Sequence, residues 1–272
     1  MAKEHSGTKK NKTNSRTNIL NILLIVFAAV FVFSGVMLVK NLIQGKKEQA
    51  AFDDLATPMH NIEMDESLVD KTRLLLLQYE RLKEKNSDFA GWIRIDGTKL
   101  DYPVMHTPDN MEYYLRRTFD KKYSISGTPF MDKNCTADSR LVLIYGHHMD
   151  NGTMFAPLHS YRKKEFWDSH REIRFDTLTE TRTYEVISAF YTEIDATGTK
   201  GLFDYYNYSG DLTDEQFDTY IANVKALSVH TSDVEVTKED RLLTLSTCSW
   251  HSETGRFVVV AKLKEAKTSD FE

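Results

Sequence analysis

The stretch Arg241–Leu263 reads RLLTLSTCSWHSETGRFVVVAKL and contains two β-type runs separated by a polar segment. The first run is Arg241–Leu245 and the second is Phe257–Leu263, and both are rich in residues that favour strands. The segment between them, Ser249–Gly255, is short and polar and ends in glycine, as is typical of a hairpin loop. We therefore predict a β-hairpin here, with Cys248 at the end of its first strand.

Further short runs of the same kind precede this hairpin. Trp92–Ile95 enters a tight turn at Asp96 and Gly97, and two more runs, Leu141–Tyr145 and Tyr184–Tyr191, are separated by turn-forming segments. Many short strands with frequent turns indicate a β-barrel or a sandwich. We expect a mostly β domain that begins near residue 86.

Two segments have helical periodicity instead. From Ser67 to Lys85, leucines and aromatic residues alternate with charges at near-helical spacing, and Ser67 is a candidate N-cap. Before the last two strands, Thr213 and Gln216 fit a capping box at the start of a second helix. One face of that helix is apolar and holds Phe217, Tyr220, Ile221, Val224 and Leu227.

The run Ile19–Val39 holds no charged residue and is long enough to span a bilayer. It is longer than the apolar region of a signal peptide, and no small-residue cleavage site follows closely, so an uncleaved anchor is favoured over a cleaved leader. Its N-terminal flank is basic, which favours the cytoplasm for that side. The basic residues of this flank are Lys3, Lys9, Lys10, Lys12 and Arg16.

These features divide the chain into five segments. We expect a cytoplasmic tail over 1–18, a transmembrane anchor over 19–39, a polar juxtamembrane linker over 40–66, a folded domain over 67–264 and a C-terminal tail over 265–272. The folded domain would then lie outside the cell. The net charge of −5 at pH 7 argues against a general nucleic-acid binder, so we expect no nucleic-acid partner.

The chain has two cysteines, Cys135 and Cys248. A secreted domain that depends on disulfides normally carries more. One bridge between these two is arithmetically possible, but it would consume the best nucleophile in the chain. We expect two free thiols, with Cys135 in a structural role.

Three residue types that support acyl-transfer chemistry occur at the ends of predicted strands. A free cysteine is more often a core residue than a nucleophile, so Cys248 alone does not establish an activity. However, His147 follows the run Leu141–Tyr145, and Arg256 opens the last strand. An imidazole can pair with a thiolate and protonate a leaving amine, and a guanidinium can stabilise an oxyanion.

The adjacent histidines His147 and His148, close to Asp150, are also candidate metal ligands. A tetrahedral site usually needs a second, spaced cluster of ligands, and the sequence shows none. We therefore expect neither a metal nor another cofactor.

Together, these elements resemble the signature of the sortase family. His147 lies in YGHH, Cys248 ends TLSTC, and Arg256 lies on the following strand. The resemblance extends over roughly residues 67–264, and the string YGHHMDNGTMF and the helix before the last strands resemble class B sortases in particular. Further matching strings are GWIRIDGT at 91–98, DYPV at 101–104 and GTPFMD at 127–132.

The resemblance implies a closed β-barrel with N-terminal helices and an inserted helix before the strand that leads to Cys248. It implies a transpeptidase that cleaves a C-terminal sorting signal of secreted proteins after a Thr, through a thioacyl enzyme that an amine of the peptidoglycan precursor resolves. It also implies that His147, Cys248 and Arg256 are catalytic. By motif position, the substrate-contact residues are Asn110, Tyr145, Tyr206 and Ser246.

One departure from the family pattern lies after the nucleophile. The loop from Cys248 to Arg256 is short for the class, and Ser249 stands where a Glu can follow the cysteine. The substrate preference is therefore open.

Other functions remain as alternatives. A papain-like protease is disfavoured because His147 precedes Cys248, and the caspase signature is absent. A membrane-tethered cysteine protease, a sortase that polymerises pili and a non-enzymatic β-domain that binds a partner remain open.

Overall fold

The computed structural model describes residues 11–65, 70–195, 197, 201–249, 252 and 254–268, with side chains from residue 18 onward. The chain forms two compact units, the first ending at Lys47 and the second beginning at Glu48.

The first unit is helical from Asn11 and belongs to helix α1, which has the bounds Asn11–Met64. The large apolar side chains of the run Ile19–Val39 are exposed to solvent. Within the described ranges, α1 is the one helix that is long and apolar enough to cross a membrane. This finding agrees with membrane anchoring through the N-terminal helix.

The second unit begins with the last part of α1. This part falls in the stretch 40–66 that we predicted as a polar linker, and it is helical as far as Met64. Phe52, Ala56 and Met59 are buried in the second unit. Their spacing of four and three residues places them on one helical face, a pattern that Asp53, Asp54 and Pro58 between them obscure in the sequence.

Helix α2 has the bounds Lys71–Lys85, so it starts later than the predicted residue 67. Its N-cap is Asp70, whose carboxylate accepts a hydrogen bond of 2.9 Å from the backbone N–H of Arg73. The predicted cap, Ser67, lies outside the described residues. The buried face of α2 consists of Leu75, Leu76, Tyr79 and Leu82.

In the described part of the chain, eight strands form a closed barrel in the order β1-β2-β3-β4-β7-β8-β6-β5. The pairs β2–β3 and β4–β7 are parallel and the other pairs are antiparallel. The mostly β, closed-barrel prediction is therefore confirmed. The strands are β1 (Phe89–Arg94), β2 (Asp101–Met105), β3 (Phe130–Met131), β4 (Leu141–Tyr145), β5 (Glu172–Asp176), β6 (Glu180–Glu193), β7 (Leu242–Cys248) and β8 (Gly255–Thr268).

The remaining helical elements lie between these strands. Helix α3 (Lys164–Ser169) is short, and helix α4 (Asp214–Leu227) precedes β7, which confirms the inserted helix. The capping box of Thr213 and Gln216 is present. Three short 3-10 segments complete the fold, at Pro108–Arg116, Ala156–Arg162 and Tyr205–Asn207.

The predicted hairpin is present as the antiparallel pair β7–β8, in which Cys248 lies opposite Arg256. Both strands are longer than the apolar runs Arg241–Leu245 and Phe257–Leu263 that predicted them. Strand β7 continues to Cys248, and β8 continues past residue 264 to Thr268, where its exposed residues pair with the start of β6. Ladder hydrogen bonds hold these ends, so the strands outlast the apolar runs from which we predicted them.

Cys135 and Cys248 are both free thiols. Cys135 is buried, its thiol lies 3.4 Å from the carbonyl oxygen of Leu141, and it accepts a hydrogen bond of 3.3 Å from the N–H of Leu143. Burial raises the pKa of the Cys135 thiol to about 11. A thiol that stays protonated is a poor nucleophile, which agrees with a structural role.

Candidate active site

Cys248 is the last residue of β7, and its side chain is half-buried. In the β7–β8 ladder its register partner is Arg256, which is also half-buried. Residues opposite each other in an antiparallel pair have their Cβ atoms about 5 Å apart and on the same face of the sheet. The pairing therefore places the side chains of Arg256 and Cys248 next to each other.

His147 is brought to the same rim by the parallel pairing of β4 with β7. Tyr145 is the register partner of Ser246. Just beyond it, the N–H of Gly146 donates to the carbonyl oxygen of Ser246 at 3.1 Å, and the Thr247 hydroxyl donates to the carbonyl oxygen of Gly146 at 2.8 Å. Because β4 and β7 stay paired to this point, the parallel register places His147 next to Cys248.

The residue before this histidine has to be glycine. A Cβ on Gly146 would lie 2.6 Å from the ring of Phe155. The same Phe155 donates its N–H to the carbonyl oxygen of His147 at 2.9 Å. The close approach of ring and backbone thus fixes the path of the chain as it leaves β4.

The imidazole of His147 has a defined orientation. Its Nε2 lies 2.9 Å from the carbonyl oxygen of Leu115, and because a carbonyl only accepts, Nε2 must carry the hydrogen. The other nitrogen, Nδ1, is then the one that can gain or lose a proton. Burial lowers the pKa of His147, the charge of Arg116 lowers it further, and the bond to Leu115 opposes the shift.

A groove of about 710 Å³ contains the three predicted catalytic residues. It has the size of a site that binds a small ligand or a peptide segment. Three of the four predicted substrate-contact residues, Tyr145, Tyr206 and Ser246, also line it. Asn110 does not line the groove; it is exposed, on the 3-10 segment Pro108–Arg116 that contributes Met111, Glu112 and Leu115 to the wall.

Two tyrosines of the groove wall are hydrogen-bonded to carboxylates. The Tyr145 hydroxyl donates to Asp132 at 3.1 Å, and the Tyr206 hydroxyl donates to Asp204 at 2.9 Å. These bonds fix the directions of both rings.

Sequence reasoning missed Tyr205. Its hydroxyl lies 2.6 Å from the hydroxyl of Ser246, both side chains are buried, and burial raises the pKa of Tyr205 to about 12. The signal was the Tyr205–Tyr206 pair, from which the family pattern indicated only the second tyrosine. The buried hydroxyl of Ser246 needs a partner, and Tyr205 supplies it.

Ser249 does not line the groove, and its side chain contacts His159 instead. It is buried, and its hydroxyl lies 3.0 Å from Nε2 of His159. The ring of His159 contacts that of His148, with 4.9 Å between centroids, and the carbonyl of Cys248 is hydrogen-bonded to His148. The second histidine of the pair thus contacts the backbone of the cysteine.

Arg256 bends over its own loop. Its Nη1 donates to the carbonyl oxygen of Gly255 at 2.9 Å and lies 3.3 Å from that of Thr254.

Within the described ranges, no group of three His, Cys, Asp or Glu side chains is placed to hold a metal ion. The chemistry that this arrangement supports is nucleophilic attack by a thiol with proton transfer through an imidazole.

Comparisons with known proteins agree with this geometry. The sequence model of the Sortase domain family matches residues 93–264. Sortase B of Staphylococcus aureus is 34% identical over 252 residues, covering 90% of this chain and 95% of that protein, and sortase B of Listeria monocytogenes is 31% identical over 253 residues, covering 89% and 95%.

Solved structures give the same result. A Staphylococcus aureus sortase B–substrate complex has a TM-score of 0.70 at 33% identity and covers 82% of this chain and 99% of that one. A Clostridium perfringens sortase B has a TM-score of 0.61 at 29% identity and covers 68% of this chain and 99% of that one. The chain belongs to the sortase family of cysteine transpeptidases and is similar to sortase B.

Proposed function

We propose that this enzyme cleaves a C-terminal sorting signal of secreted proteins and transfers them to an amine of the peptidoglycan precursor. The observation that carries the proposal is that Cys248, His147 and Arg256 line the same groove of about 710 Å³. One similar structure is a sortase B complex with a substrate, and another is a complex with triglycine, a peptide that offers a free amine.

In the first half-reaction, Sγ of Cys248 attacks the carbonyl carbon of the scissile peptide bond. His147 takes up the thiol proton at Nδ1 and delivers it to the nitrogen of the leaving amine as the C–N bond breaks. A thioester on Cys248 results. The lowered pKa of His147 supports this role, because a neutral imidazole can accept the proton.

Arg256 acts on the carbonyl oxygen that becomes negatively charged. Its guanidinium lies on the strand opposite Cys248 and lines the groove, so it can turn from its loop carbonyls toward the substrate. Such donors act on charge that develops in the transition state, and their loss commonly costs about 100-fold to 1,000-fold in rate.

In the second half-reaction, an amine attacks the thioester carbonyl. Nδ1 of His147 accepts a proton from the amine, the thiolate of Cys248 leaves, and a new amide bond forms. Attack by water instead of the amine would give hydrolysis, which is the protease alternative. An amine of another secreted protein in place of the cell-wall precursor would give a polymer, which is the pilus alternative.

The groove wall supplies the contacts to the sorting signal. We assign Tyr145, Tyr206 and Ser246 to these contacts because they line the groove beside the catalytic residues. Asn110 can join them through a movement of its 3-10 segment, since it lies next to the lining residue Met111.

The N-terminal helix anchors the enzyme with its basic end in the cytoplasm and the catalytic domain outside the cell. The apolar exposed run Ile19–Val39 supports the anchor, and the five basic residues before it support the orientation.

The central test is incubation of the full-length enzyme in detergent with a panel of sorting-signal peptides. One arm of the test contains triglycine, one contains a lysine-bearing peptide, and one contains no amine. Mass spectrometry should detect a product cut after Thr and joined to the added amine. We expect Cys248→Ala to give no product and the matched Cys135→Ala to retain turnover, because Cys135 is buried and does not line the groove. Only hydrolysed product in every arm would contradict transpeptidation, and turnover by Cys248→Ala would contradict the nucleophile.

Arg256→Lys tests the oxyanion role. We expect a loss of about 100-fold in kcat with a small change in KM, because the planar fork of donors is not replaced by a point charge. Arg171→Lys, at an exposed pair with Asp233, is the matched control and should keep full activity. Full activity of Arg256→Lys would remove this residue from the mechanism.

The orientation is tested by protease treatment of intact cells that carry the enzyme with a tag at each end. The C-terminal tag should be lost while the N-terminal tag stays protected. Protection of the C-terminal tag in intact cells, with loss after lysis, would reverse the proposed orientation.

A further inference from the structure

The carboxylate of Glu48, on the last part of α1, is buried with only 4% of the residue exposed. Its Oε2 accepts a hydrogen bond of 2.6 Å from the hydroxyl of Ser124 and one of 3.0 Å from that of Ser126. A buried carboxylate is costly unless it is well hydrogen-bonded, and bonds to a charged acceptor are stronger than neutral ones. Glu48 therefore holds the segment 124–126 firmly.

This segment is joined to the end of the 3-10 segment Pro108–Arg116. The N–H of Ser124 donates to the carbonyl oxygen of Arg116 at 3.0 Å, and the Ser124 hydroxyl accepts from the N–H of Gly127 at 3.0 Å. The same hydroxyl thus connects Glu48 to Gly127. Ser124 and Ser126 are buried, whereas the preceding residue, Tyr123, is 71% exposed.

Gly127 lies directly against Leu115, whose backbone carbonyl accepts the hydrogen bond from His147. A Cβ at Gly127 would lie 2.4 Å from the carbonyl oxygen of Leu115, and the φ of Gly127 is +64°. Both facts require glycine. The next residue, Thr128, donates its N–H to the carbonyl oxygen of Tyr114 at 3.0 Å.

The Leu115 carbonyl is the one that accepts the hydrogen bond from Nε2 of His147 at 2.9 Å. A 3-10 helix has poorer internal hydrogen bonds than an α-helix, so neighbouring elements decide where its last turn lies. The segment 124–128 contacts this turn through the hydrogen bonds of Ser124 to Arg116 and of Thr128 to Tyr114.

We infer that Glu48 is a positioning residue for His147. Its carboxylate holds Ser124 and Ser126, these hold Gly127 against Leu115, and Leu115 orients the imidazole beside Cys248. The last part of α1, which follows the apolar run Ile19–Val39, thus contributes to the active site without touching the substrate. The inference rests on the role proposed above for His147.

Glu63 provides a matched control on the same helix. It forms ion pairs with Arg94 and Arg174, and none of these three residues lines the active-site groove. Loss of either acidic residue should weaken the docking of α1. Only loss of Glu48 should alter the environment of Cys248.

The test measures the rate of Cys248 alkylation by iodoacetamide between about pH 5 and about pH 9, in full-length Cys135→Ala protein in detergent. This probe needs no substrate. Because proton transfer from the thiol to the imidazole in the proposed mechanism gives a thiolate–imidazolium pair, His147→Ala should shift the midpoint of the profile to higher pH.

Glu48→Ala should shift the midpoint in the same direction and lower the alkylation rate near neutral pH about fivefold, as expected for the loss of a positioning hydrogen bond. Glu48→Gln, which keeps one acceptor oxygen, should restore part of the rate. Glu63→Gln should lower the melting temperature and leave the profile unchanged.

An unchanged profile in Glu48→Ala, with a shifted one in His147→Ala, would overturn the inference and leave the proposed role of His147 intact. An unchanged profile in His147→Ala would overturn that role itself. If Glu48→Ala does not fold, the double variant Ser124→Ala/Ser126→Ala removes the same two hydrogen bonds from the other side. An unchanged profile in the double variant would equally overturn the inference.

Discussion

The proposed active site depends on the parallel pairing of β4 with β7. These strands are far apart in sequence, and their ladder ends with the hydrogen bonds of Gly146 to Ser246 and Thr247. Parallel neighbours run in register to the same edge of a sheet, so the residue that leaves β4 lies beside the residue that ends β7. The antiparallel partner β8 then adds Arg256 opposite Cys248. Three residues from separate parts of the chain meet because three adjacent strands begin or end at one rim.

The imidazole in this site is under two opposing influences. Burial and the charge of Arg116 disfavour its charged form, the Leu115 carbonyl favours it, and burial is the largest of these effects. In the mechanism that we propose, the lowered pKa keeps the imidazole neutral and ready to accept the proton of the thiol, which it then gives to the leaving amine. This proton transfer needs an oriented imidazole. The orientation comes from outside β4, β7 and β8, from the 3-10 segment Pro108–Arg116 and its neighbour Gly127.

Much of this arrangement could be predicted from the sequence, because the strands carry local signals. The apolar runs located the strands, the capping box located α4, and the strings around His147 and Cys248 indicated the family. The C-terminal end of β8 was missed because its pairing with the start of β6, which is non-local, extends it beyond its apolar residues. The helical course of 48–64 was missed because its three buried apolar residues are separated by Asp53, Asp54 and Pro58, which are poor signals for an amphipathic helix.

The contacts between segments distant in sequence could not be predicted at all. Tyr205 and Ser246 are far apart in the chain yet hydrogen-bonded, a pairing that only the closed barrel creates. The bonds of Glu48 to Ser124 and Ser126 likewise depend on how the last part of α1 packs within the second unit. Ser249 looked like a specificity position from its place after Cys248, yet its hydroxyl faces His159 and not the groove.

The most direct test of the central claim is intact-mass analysis of the enzyme mixed with a cleavable sorting-signal peptide in the absence of an amine and quenched in acid. A thioester on Cys248 predicts a mass gain equal to the N-terminal part of the peptide, located at Cys248 by proteolysis and lost when triglycine is added before the quench. Turnover of the peptide with no adduct at Cys248, or with the adduct on another residue, would contradict the account.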